Sequence, residues 1–311
     1  MKLTGPDSLS LEQFVHRLEG IGYKGAAVQL GQGVLTAGFE VASIGSVIGV
    51  RFSVDREFLF CGGRDESLIP FAVMEPGSES RYHGDISTGG DICGFQSDKT
   101  DTDCSWVGSM ACLYVPKVAF LERLRTIGAH VALERLDSVN CLAPDPIAAA
   151  KFLELFVMLL NRQVQTEDQI LDFLALQLCC ASAENTKAEV RNWAQLTEGV
   201  RQLHQAAASE PLTVKDWALG LNMHETTLRA ATKERFNVTP SELHRLVRLT
   251  QAFIFLEDGT KKVDQAMTRY RFRNRGEFAR YFREHFSINP SELCSDDPLI
   301  LEPQQLDLFA A

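Results

Sequence analysis

The chain has 311 residues, of which 45% are hydrophobic and 23% are charged, and its formal net charge is −10. This composition is that of an ordinary globular protein, and the length predicts about two domains. No apolar run reaches the roughly 18 residues that a membrane-spanning helix needs, and the first residues lack the apolar core of a signal peptide. We therefore expect a cytoplasmic protein.

The eight cysteines are spread along the chain, and no two of them form a CxxC pair. This spacing argues against a zinc ribbon and against a thioredoxin-type motif. Reduced, partly buried thiols are the default state of cysteines in a cytosolic protein.

The first predicted element is a helix over residues 10–20, because apolar residues recur there at helical spacing and Ser10 can serve as its N-cap. Residues 23–116 then contain about eight short segments rich in β-branched and aromatic residues. Such segments, separated by turns every ~8–12 residues, indicate a β-sandwich or a β-barrel. Pro116 ends the last of them, and residues 118–128 are predicted to form a helix.

Two strongly apolar helices are predicted next, over residues 147–163 and 166–183, with Thr166 at the N-cap position of the second. Helices this apolar must pack against another surface. In one interpretation they cover the β-rich domain, and in the other they form a dimer interface. It is also possible that one of the two helices covers the domain while the other forms the interface.

A polar segment at residues 183–190 is the predicted domain boundary. Residues 1–187 carry a net charge of −9, whereas residues 188–294 carry +3 and read as helical throughout. A mildly basic module in an acidic protein suggests an anionic partner for that module. We predict an N-terminal sensing and dimerisation domain (1–185), a DNA-binding domain (190–294) and an acidic tail (295–311).

An internal repeat defines the basic module. Residues 233–243 are matched at 283–293, with six of eleven positions identical. Each copy reads as a short helix, a turn and a second helix, and a long apolar helix over residues 241–259 joins the copies. The predicted helices are 214–221 and 224–236 in the first unit and 261–270 and 274–286 in the second. Thr213 is the predicted N-cap of the first helix, and Asn274 is that of the last.

Residues 269–286 contain six arginines and six aromatic residues. Phe278, Tyr281, Phe282 and Phe286 recur at helical spacing and are predicted to form one buried face. Arginines outside this stripe suit phosphates and guanine edges, because the guanidinium group donates two hydrogen bonds at once. The pattern favours a helix that lies in the DNA major groove, and the alternative is a solvated basic face without a ligand.

At these residues the chain resembles the AraC/XylS family of transcription regulators, over roughly residues 190–294. The resemblance rests on an alanine-containing helix, a turn, a second helix and a following proline in each unit. The run GEFARYFREHF is most similar to the subgroup of ethanolamine-operon regulators. The matching residues are Ala218, Leu228, Phe236 and Pro240 in the first unit, and Phe272, Phe278, Phe282, Phe286 and Pro290 in the second.

The resemblance implies two helix-turn-helix units that read adjacent major-groove segments of double-stranded DNA. Ala230 and Thr232 depart from the family pattern, as do Asn237 and Ser287, which stand where a glycine is usual. We expect the second unit to contribute more of the base reading. The predicted DNA-binding residues are Thr226, Arg229, Lys233, Arg275, Gly276, Ala279, Arg280 and Arg283.

Residues 28–41 resemble the same regulators more weakly, which implies a β-rich sensing domain of the cupin or jelly-roll kind. Cupin enzymes bind a metal through several histidines, whereas His83 is the lone histidine of the predicted strand region. One histidine cannot assemble such a site, so we expect no metal, no cofactor and no catalytic residues.

The leading interpretation is a bacterial transcription regulator of α+β class, not an enzyme, that acts as a homodimer under control of an unknown small-molecule effector. RNA polymerase is a further candidate partner, and no membrane partner is expected. The alternative is an interaction protein whose DNA-binding domain has decayed and which acts by pairing with another regulator.

Overall fold

The structure, a computed structural model, describes residues 8–82, 85–87, 89–95, 101–139, 141–143, 146–164, 166–183, 193–209 and 212–294. The predicted domain boundary at 185–190, the acidic tail at 295–311 and His83 lie outside these residues. Within them the predicted α+β class is confirmed, since a β-rich N-terminal part with covering helices precedes an all-α part with two helix-turn-helix units.

The N-terminal part is one antiparallel sheet organised around two long strands, β4 (Val47–Gly63) and β9 (Asp101–Pro116), which pair with each other. Strands β3 (Ala37–Ile44) and β2 (Lys24–Gln29) pair with the first and second halves of β4. Strands β6 (Glu79–Tyr82) and β5 (Leu68–Met74) pair with the first and second halves of β9. Shorter strands complete the sheet: β1 (Ser8–Leu9), β7 (Asp85–Ser87), β8 (Ile92–Cys93), β10 (Cys141–Ala143) and β11 (Ser182–Ala183).

Strand β4 is continuous where the sequence pattern predicts two strands, at 46–54 and 57–63. The prediction is wrong because the polar residues at 55–57 form a β-bulge and not a turn: the register with β9 shifts between Val54 and Phe58. Asp55 is held in place by accepting a hydrogen bond from the Thr36 amide at 2.8 Å. A bulge bends a strand without ending its pairing, and this one wraps the sheet around an apolar interior.

Four helices pack on the outer side of the sheet: α2 (Lys117–Thr126), α3 (His130–Ser138), α4 (Pro146–Leu160) and α5 (Glu167–Cys180). Helix α4 buries Phe152, Phe156 and Leu159 against the strands, and a side chain at Gly49 would clash with Leu159. Helix α5 packs on α2 and α3 in the same apolar cluster. The covering interpretation of the two apolar helices is therefore confirmed. The sequence analysis did not anticipate α3.

The remaining helices contribute to a second apolar cluster, separate from the one that contains α2–α5. Apart from the helix at Trp193–Gln205, for which no separate range was predicted, they agree with the predicted ranges to within a few residues. Ser10, Thr213 and Asn274 each accept the expected N-cap hydrogen bond. Thr166 occupies the N-cap of α5 without such a bond. The helices are α1 (Leu11–Gly20), α6 (Trp193–Gln205), α7 (Val214–Gly220), α8 (Glu225–Phe236), α9 (Pro240–Glu257), α10 (Val263–Arg269) and α11 (Arg275–Phe286).

The two parts of the chain share one hydrophobic core. Helices α6 and α9 pack on β2, and one continuous cluster of buried side chains runs from Phe14 and Phe58 in the N-terminal part to Phe253 and Phe286 in the C-terminal part. The C-terminal helices are therefore docked on the sheet rather than tethered to it.

Polar contacts fix the register of this docking. The Gln29 amide donates to Thr250 Oγ1 of α9 at 3.2 Å, and His285 Nε2 of α11 donates to the Gln29 carbonyl at 3.2 Å. The Gly33 amide donates to the His285 carbonyl at 2.7 Å. Because these groups are buried, displacing the C-terminal helices would leave them without partners unless water replaced the contacts.

Glu257, in the last turn of α9, forms another contact between the two parts. Its carboxylate accepts a hydrogen bond from the amide of Glu12, at 2.7 Å, in the first turn of α1. Burial raises the pKa of Glu257 to about 7, although hydrogen bonds from Glu12 and from Ser10 oppose this rise.

Helices α8 and α11 end in the same way, with a left-handed residue that is not glycine. Asn237 has φ 55° and Ser287 has φ 63°, and each amide donates to a carbonyl four residues earlier in its helix. Asparagine tolerates this conformation, whereas serine adopts it at a cost in free energy. Ser287 is therefore a strained position.

Replacing Ser287 with glycine is expected to raise the free energy of unfolding by about 0.5–1 kcal/mol, because glycine adopts positive φ without steric strain. Urea denaturation of the full chain measures the change. The matched control is Ser241→Gly within α9, where the helical backbone should make the same substitution destabilising by about 0.5–1 kcal/mol. Equal effects of the two substitutions would contradict the assignment of strain to Ser287.

Glu257 is expected to make stability fall as pH rises from 4.5 to about 7. In that window the folded protein holds a proton that the unfolded chain has released, so deprotonation disfavours the folded state. The free energy of unfolding of Glu257→Gln, relative to that of the wild type, should rise by about 1–2 kcal/mol between pH 5 and pH 8. Denaturation at four pH values measures this gain, with Glu234→Gln on the exposed side of α8 as control. A difference from the wild type that is the same at every pH would contradict the prediction.

Candidate nucleic-acid interface

In each helix-turn-helix unit, the two helices are joined by a turn that contains one residue in the left-handed conformation. Asn222 (φ 51°) joins α7 to α8, and Arg271 (φ 58°) joins α10 to α11. In the second unit the Phe272 amide donates to the Met267 carbonyl at 2.9 Å, which closes the turn. Asn274 then accepts a hydrogen bond from the Glu277 amide at 3.0 Å and starts α11.

The buried side of α11 is aromatic, as predicted. Phe278, Phe282 and Phe286 are fully buried, and the ring centroids of Phe282 and Phe286 lie 5.8 and 4.5 Å from that of Phe253 in α9. Tyr281 differs from the prediction, because it is only half-buried and lies at the edge of this stripe. Its ring packs against the edge of the core and also contacts two arginine side chains.

The buried side of α8 contains Leu228, Ala231, Phe236 and two polar residues. Thr232, one of the departures from the family pattern, donates to the Leu228 carbonyl at 2.7 Å and so satisfies its hydroxyl within the helix. Arg235 is also buried, and sequence reasoning missed its role. It donates to Ser105 Oγ and to the Arg81 carbonyl, both at 3.4 Å, in the N-terminal sheet.

The predicted DNA-binding residues lie on the opposite sides of α8 and α11. Ala279 is half-buried and the others are exposed: Thr226, Arg229, Lys233, Arg275, Gly276, Arg280 and Arg283. The structure therefore leaves the two sets accessible on helices whose other sides are locked in the core. Contact of these residues with DNA stays a prediction.

The exposed cations are held by weak pairs on the protein surface. Arg229 lies 3.6 Å from Glu225, Arg280 lies 3.4 Å from Glu284, and Arg275 lies 3.5 Å from Asp264. Exposed ion pairs of this kind contribute only about 0–1 kcal/mol, so a phosphate group can replace the carboxylate at little cost.

The bent sheet encloses an apolar cavity in the N-terminal part. Its volume is about 40 Å³. Tyr23 and Tyr114 hydroxyls lie 3.1 Å apart at its wall, and burial raises the pKa of Tyr23 and of Tyr114 well above the usual range. The lining residues include Phe52, Phe60, Tyr82, Cys104, Trp106, Met110 and Cys112.

Trp106 Nε1 is a buried donor without a hydrogen-bond partner among the residues that the structure describes. The cavity therefore offers apolar walls with one unused donor and three tyrosine hydroxyl groups, which suits a small, largely apolar molecule with an acceptor atom. Arg51 is not among the lining residues and pairs with Glu75 at 2.6 Å.

Across the described part of the chain, no group of three or more His, Cys, Asp or Glu side chains is placed to hold a metal ion. His83 lies outside that part. None of the helices described is long and apolar enough to cross a membrane.

Residues 217–295 match the family model of a helix-turn-helix domain. No curated protein matches the chain. A solved transcriptional regulator with an AraC-type DNA-binding domain from Chromobacterium violaceum is 28% identical, with 32% of this chain and 89% of that chain covered and a TM-score of 0.31.

Two longer structures are also similar. The AraC-like transcriptional activator CuxR is 15% identical over 79% of this chain and 95% of its own, with a TM-score of 0.39. ToxT from Vibrio cholerae is 9% identical over 89% of this chain and 99% of its own, with a TM-score of 0.33.

The family match covers the two helix-turn-helix units described above and agrees with the resemblance found in the sequence. The ethanolamine-operon subgroup stays a prediction. Residues 217–295 therefore form a helix-turn-helix domain, and the chain is similar over this part to the AraC-type regulator from Chromobacterium violaceum.

Proposed function

We propose that the chain is a DNA-binding transcriptional regulator of the AraC type, that it places α8 and α11 in adjacent major-groove segments of its operator, and that a molecule bound in the N-terminal cavity controls this binding. One observation carries the proposal: each of the two helices is buried on one side and presents exposed polar and basic residues on the other. Helices locked in this way can enter a groove without losing their packing.

The two units contribute unequally in this proposal. On α8 the exposed residues Thr226 and Ala230 are short, and Arg229 is the longest side chain predicted to reach a base. On α11 both Arg275 and Arg280 can donate two hydrogen bonds to a guanine. We therefore assign most of the base reading to the second unit.

Local charge drives binding, since the whole chain is acidic. With a net charge of −10, the protein as a whole is repelled by DNA, and attraction depends on the basic face of the C-terminal part. Lys233 and Arg283 lie in the last turns of their helices, where their side chains suit phosphates rather than bases.

Effector control has a direct structural route through β6 and β9. These strands pair Ser80 with Trp106, Arg81 with Ser105, and Tyr82 with Cys104. Side chains alternate between the two faces of a strand, so Tyr82, Cys104 and Trp106 line the cavity while Arg81 and Ser105 lie between them.

The intervening residues are the ones that hold α8. Arg235 donates to Ser105 Oγ and to the Arg81 carbonyl, so a molecule that displaces Tyr82 or Trp106 also displaces the atoms to which Arg235 is bonded. Cores transmit such displacements because they are close-packed. We infer that cavity occupancy changes the position of α8 through Arg235.

Several parts of the proposal concern assembly and location. We propose a homodimer, to which the exposed Ile147, Val157 and Leu176 of α4 and α5 would contribute apolar surface. We also propose contact with RNA polymerase and a cytoplasmic location. Catalysis is no part of the proposal.

Arg280→Ala is expected to abolish discrimination between an operator and variants changed at one base pair, and to weaken operator binding by about 5- to 150-fold, because a bidentate base contact is lost. Lys233→Ala should instead weaken binding to all sequences alike and reduce the slope of log Kd against log salt concentration by about 1. Gel shifts with duplexes selected from random sequence by the wild-type protein measure both.

Arg17→Ala on α1 removes a positive charge far from the interface along the chain and serves as the control. Unchanged discrimination by Arg280→Ala would reject its role in base reading. Wild-type protein that binds no duplex even at low salt would favour the alternative of an interaction protein with a decayed DNA-binding domain.

Filling the cavity is expected to imitate a bound molecule. Ala72→Leu, which adds a larger side chain to the cavity wall, should change operator affinity at least about 3-fold, and Arg235→Met should abolish this response. The control is Ala150→Leu on the exposed side of α4. Equal responses to Ala72→Leu with and without Arg235 would contradict the proposed route.

A further inference from the structure

We propose that Arg245 of α9 is a further DNA-contacting residue, and that Tyr281 of α11 is a positioning residue which holds Arg245 and Arg280 together as one stacked cationic unit. The proposal rests on the function proposed above and extends its interface from the second helix of the unit to the helix that joins the units. The sequence analysis assigned a role to Arg280 alone, and counted Tyr281 with the core.

The geometry of the stack is the first observation. The guanidinium carbon of Arg245 lies 4.4 Å from the centroid of the Tyr281 ring, and that of Arg280 lies 4.5 Å from the same centroid. Two like charges therefore share one ring, although their mutual repulsion disfavours this arrangement. The negative face of the ring offsets part of that repulsion.

The second observation is the accessibility of the stack. Tyr281 is half-buried, while the side chains of Arg280 and Arg245 are 51% and 36% exposed. Both cations can therefore reach a partner outside the protein, and neither is needed to fill the core. The ring between them does not belong to the fully buried stripe of Phe278 and Phe282 on the same helix.

The third observation is that each arginine is loosely tied at its outer side. Arg245 lies 3.7 Å from Glu242, and Arg280 lies 3.4 Å from Glu284. Both are short-range pairs within one helix and both are solvent-exposed, so they are easily exchanged. A DNA phosphate offers a stronger charge-assisted, bidentate partner for a guanidinium group.

The Tyr281 ring restricts the conformations of the Arg245 and Arg280 side chains. An arginine side chain has a large rotamer entropy, and immobilising it on binding reduces affinity. Stacking on Tyr281 restricts both guanidinium groups before DNA arrives, so less freedom is lost on binding. Arg280 can then read a base while Arg245 contacts a phosphate of the same groove.

Tyr281→Leu, which removes the ring but retains an apolar side chain, is the main test. With a fluorescent duplex of roughly 30 base pairs selected from random sequence by the wild-type protein, we expect Kd to rise about 5- to 10-fold. Tyr281→Phe keeps the ring and should bind within about 2-fold of the wild type. Phe255→Leu removes the ring under Arg269, 5.1 Å away, and serves as a matched control that should leave Kd unchanged.

A double-mutant cycle separates positioning from a merely structural role. In a protein that carries Arg245→Ala and Arg280→Ala, Tyr281→Leu should have no further effect on Kd, because its effect passes through those arginines. Arg245→Gln alone should lower the slope of log Kd against log salt by about 1 and weaken all sequences alike.

Two results would overturn the proposal. One is a wild-type salt slope in Arg245→Gln, and the other is an effect of Tyr281→Leu that persists without the two arginines. If either result is obtained while the wild-type protein binds the duplex with salt-dependent affinity, the proposed function stands and only the stack is rejected. Failure of the wild-type protein to bind any duplex rejects both.

Discussion

The packing of α11 against α9 places the positive charge of the C-terminal part. Phe278, Phe282 and Phe286 are fully buried, and burial of each such side chain contributes about 1.5–3 kcal/mol. Because these rings occupy one side of α11, its arginines must point away from the core. The same contact orients α9, which also packs on β2 of the sheet. One apolar surface thus determines both which side of α11 is exposed and how the C-terminal part is docked.

This shared core has a consequence for regulation. If the two parts were joined by a flexible segment alone, occupancy of the cavity could reach the DNA-facing helices only by changing assembly. Here buried polar residues of α8, α9 and α11 contact the sheet directly, through Arg235, Thr250 and His285. Two of these residues follow closely on predicted DNA-binding positions in the same helix. In the proposed mechanism, a small shift of the sheet therefore moves the DNA-facing helices without any change in the number of chains.

Local signals in the sequence predicted the elements that local forces determine. Caps at Ser10, Thr213 and Asn274, and the spacing of the α11 aromatic residues, depend on contacts within about four residues, so the pattern contains them. The bulge in β4 was missed because Asp55 and Arg56 look like turn residues, and only pairing with β9 shows otherwise. The roles of Arg235 and His285 were missed for a related reason: their partners lie 130 and 256 residues away in the sequence. Arg235 neighbours residues that are predicted to face DNA, and nothing in this local sequence predicts that its side chain is buried.

Tyr281 shows why helical spacing alone misjudges a half-buried position. A tyrosine three residues after Phe278 falls at the edge of the stripe, and which way its ring turns depends on what the neighbouring helix offers. Helix α9 offers Arg245, so the ring contacts a guanidinium group while it packs at the edge of the core. The aromatic residues of this segment thus make two kinds of contact. Phe278, Phe282 and Phe286 hold α11 on the protein. Tyr281 and Phe272, the latter beneath Arg248 at 4.3 Å, pack at the edge of the core and also restrict arginine side chains. A cluster of rings and arginines in one segment is therefore explained by two separate physical requirements, a fixed helix and ordered cations on its surface.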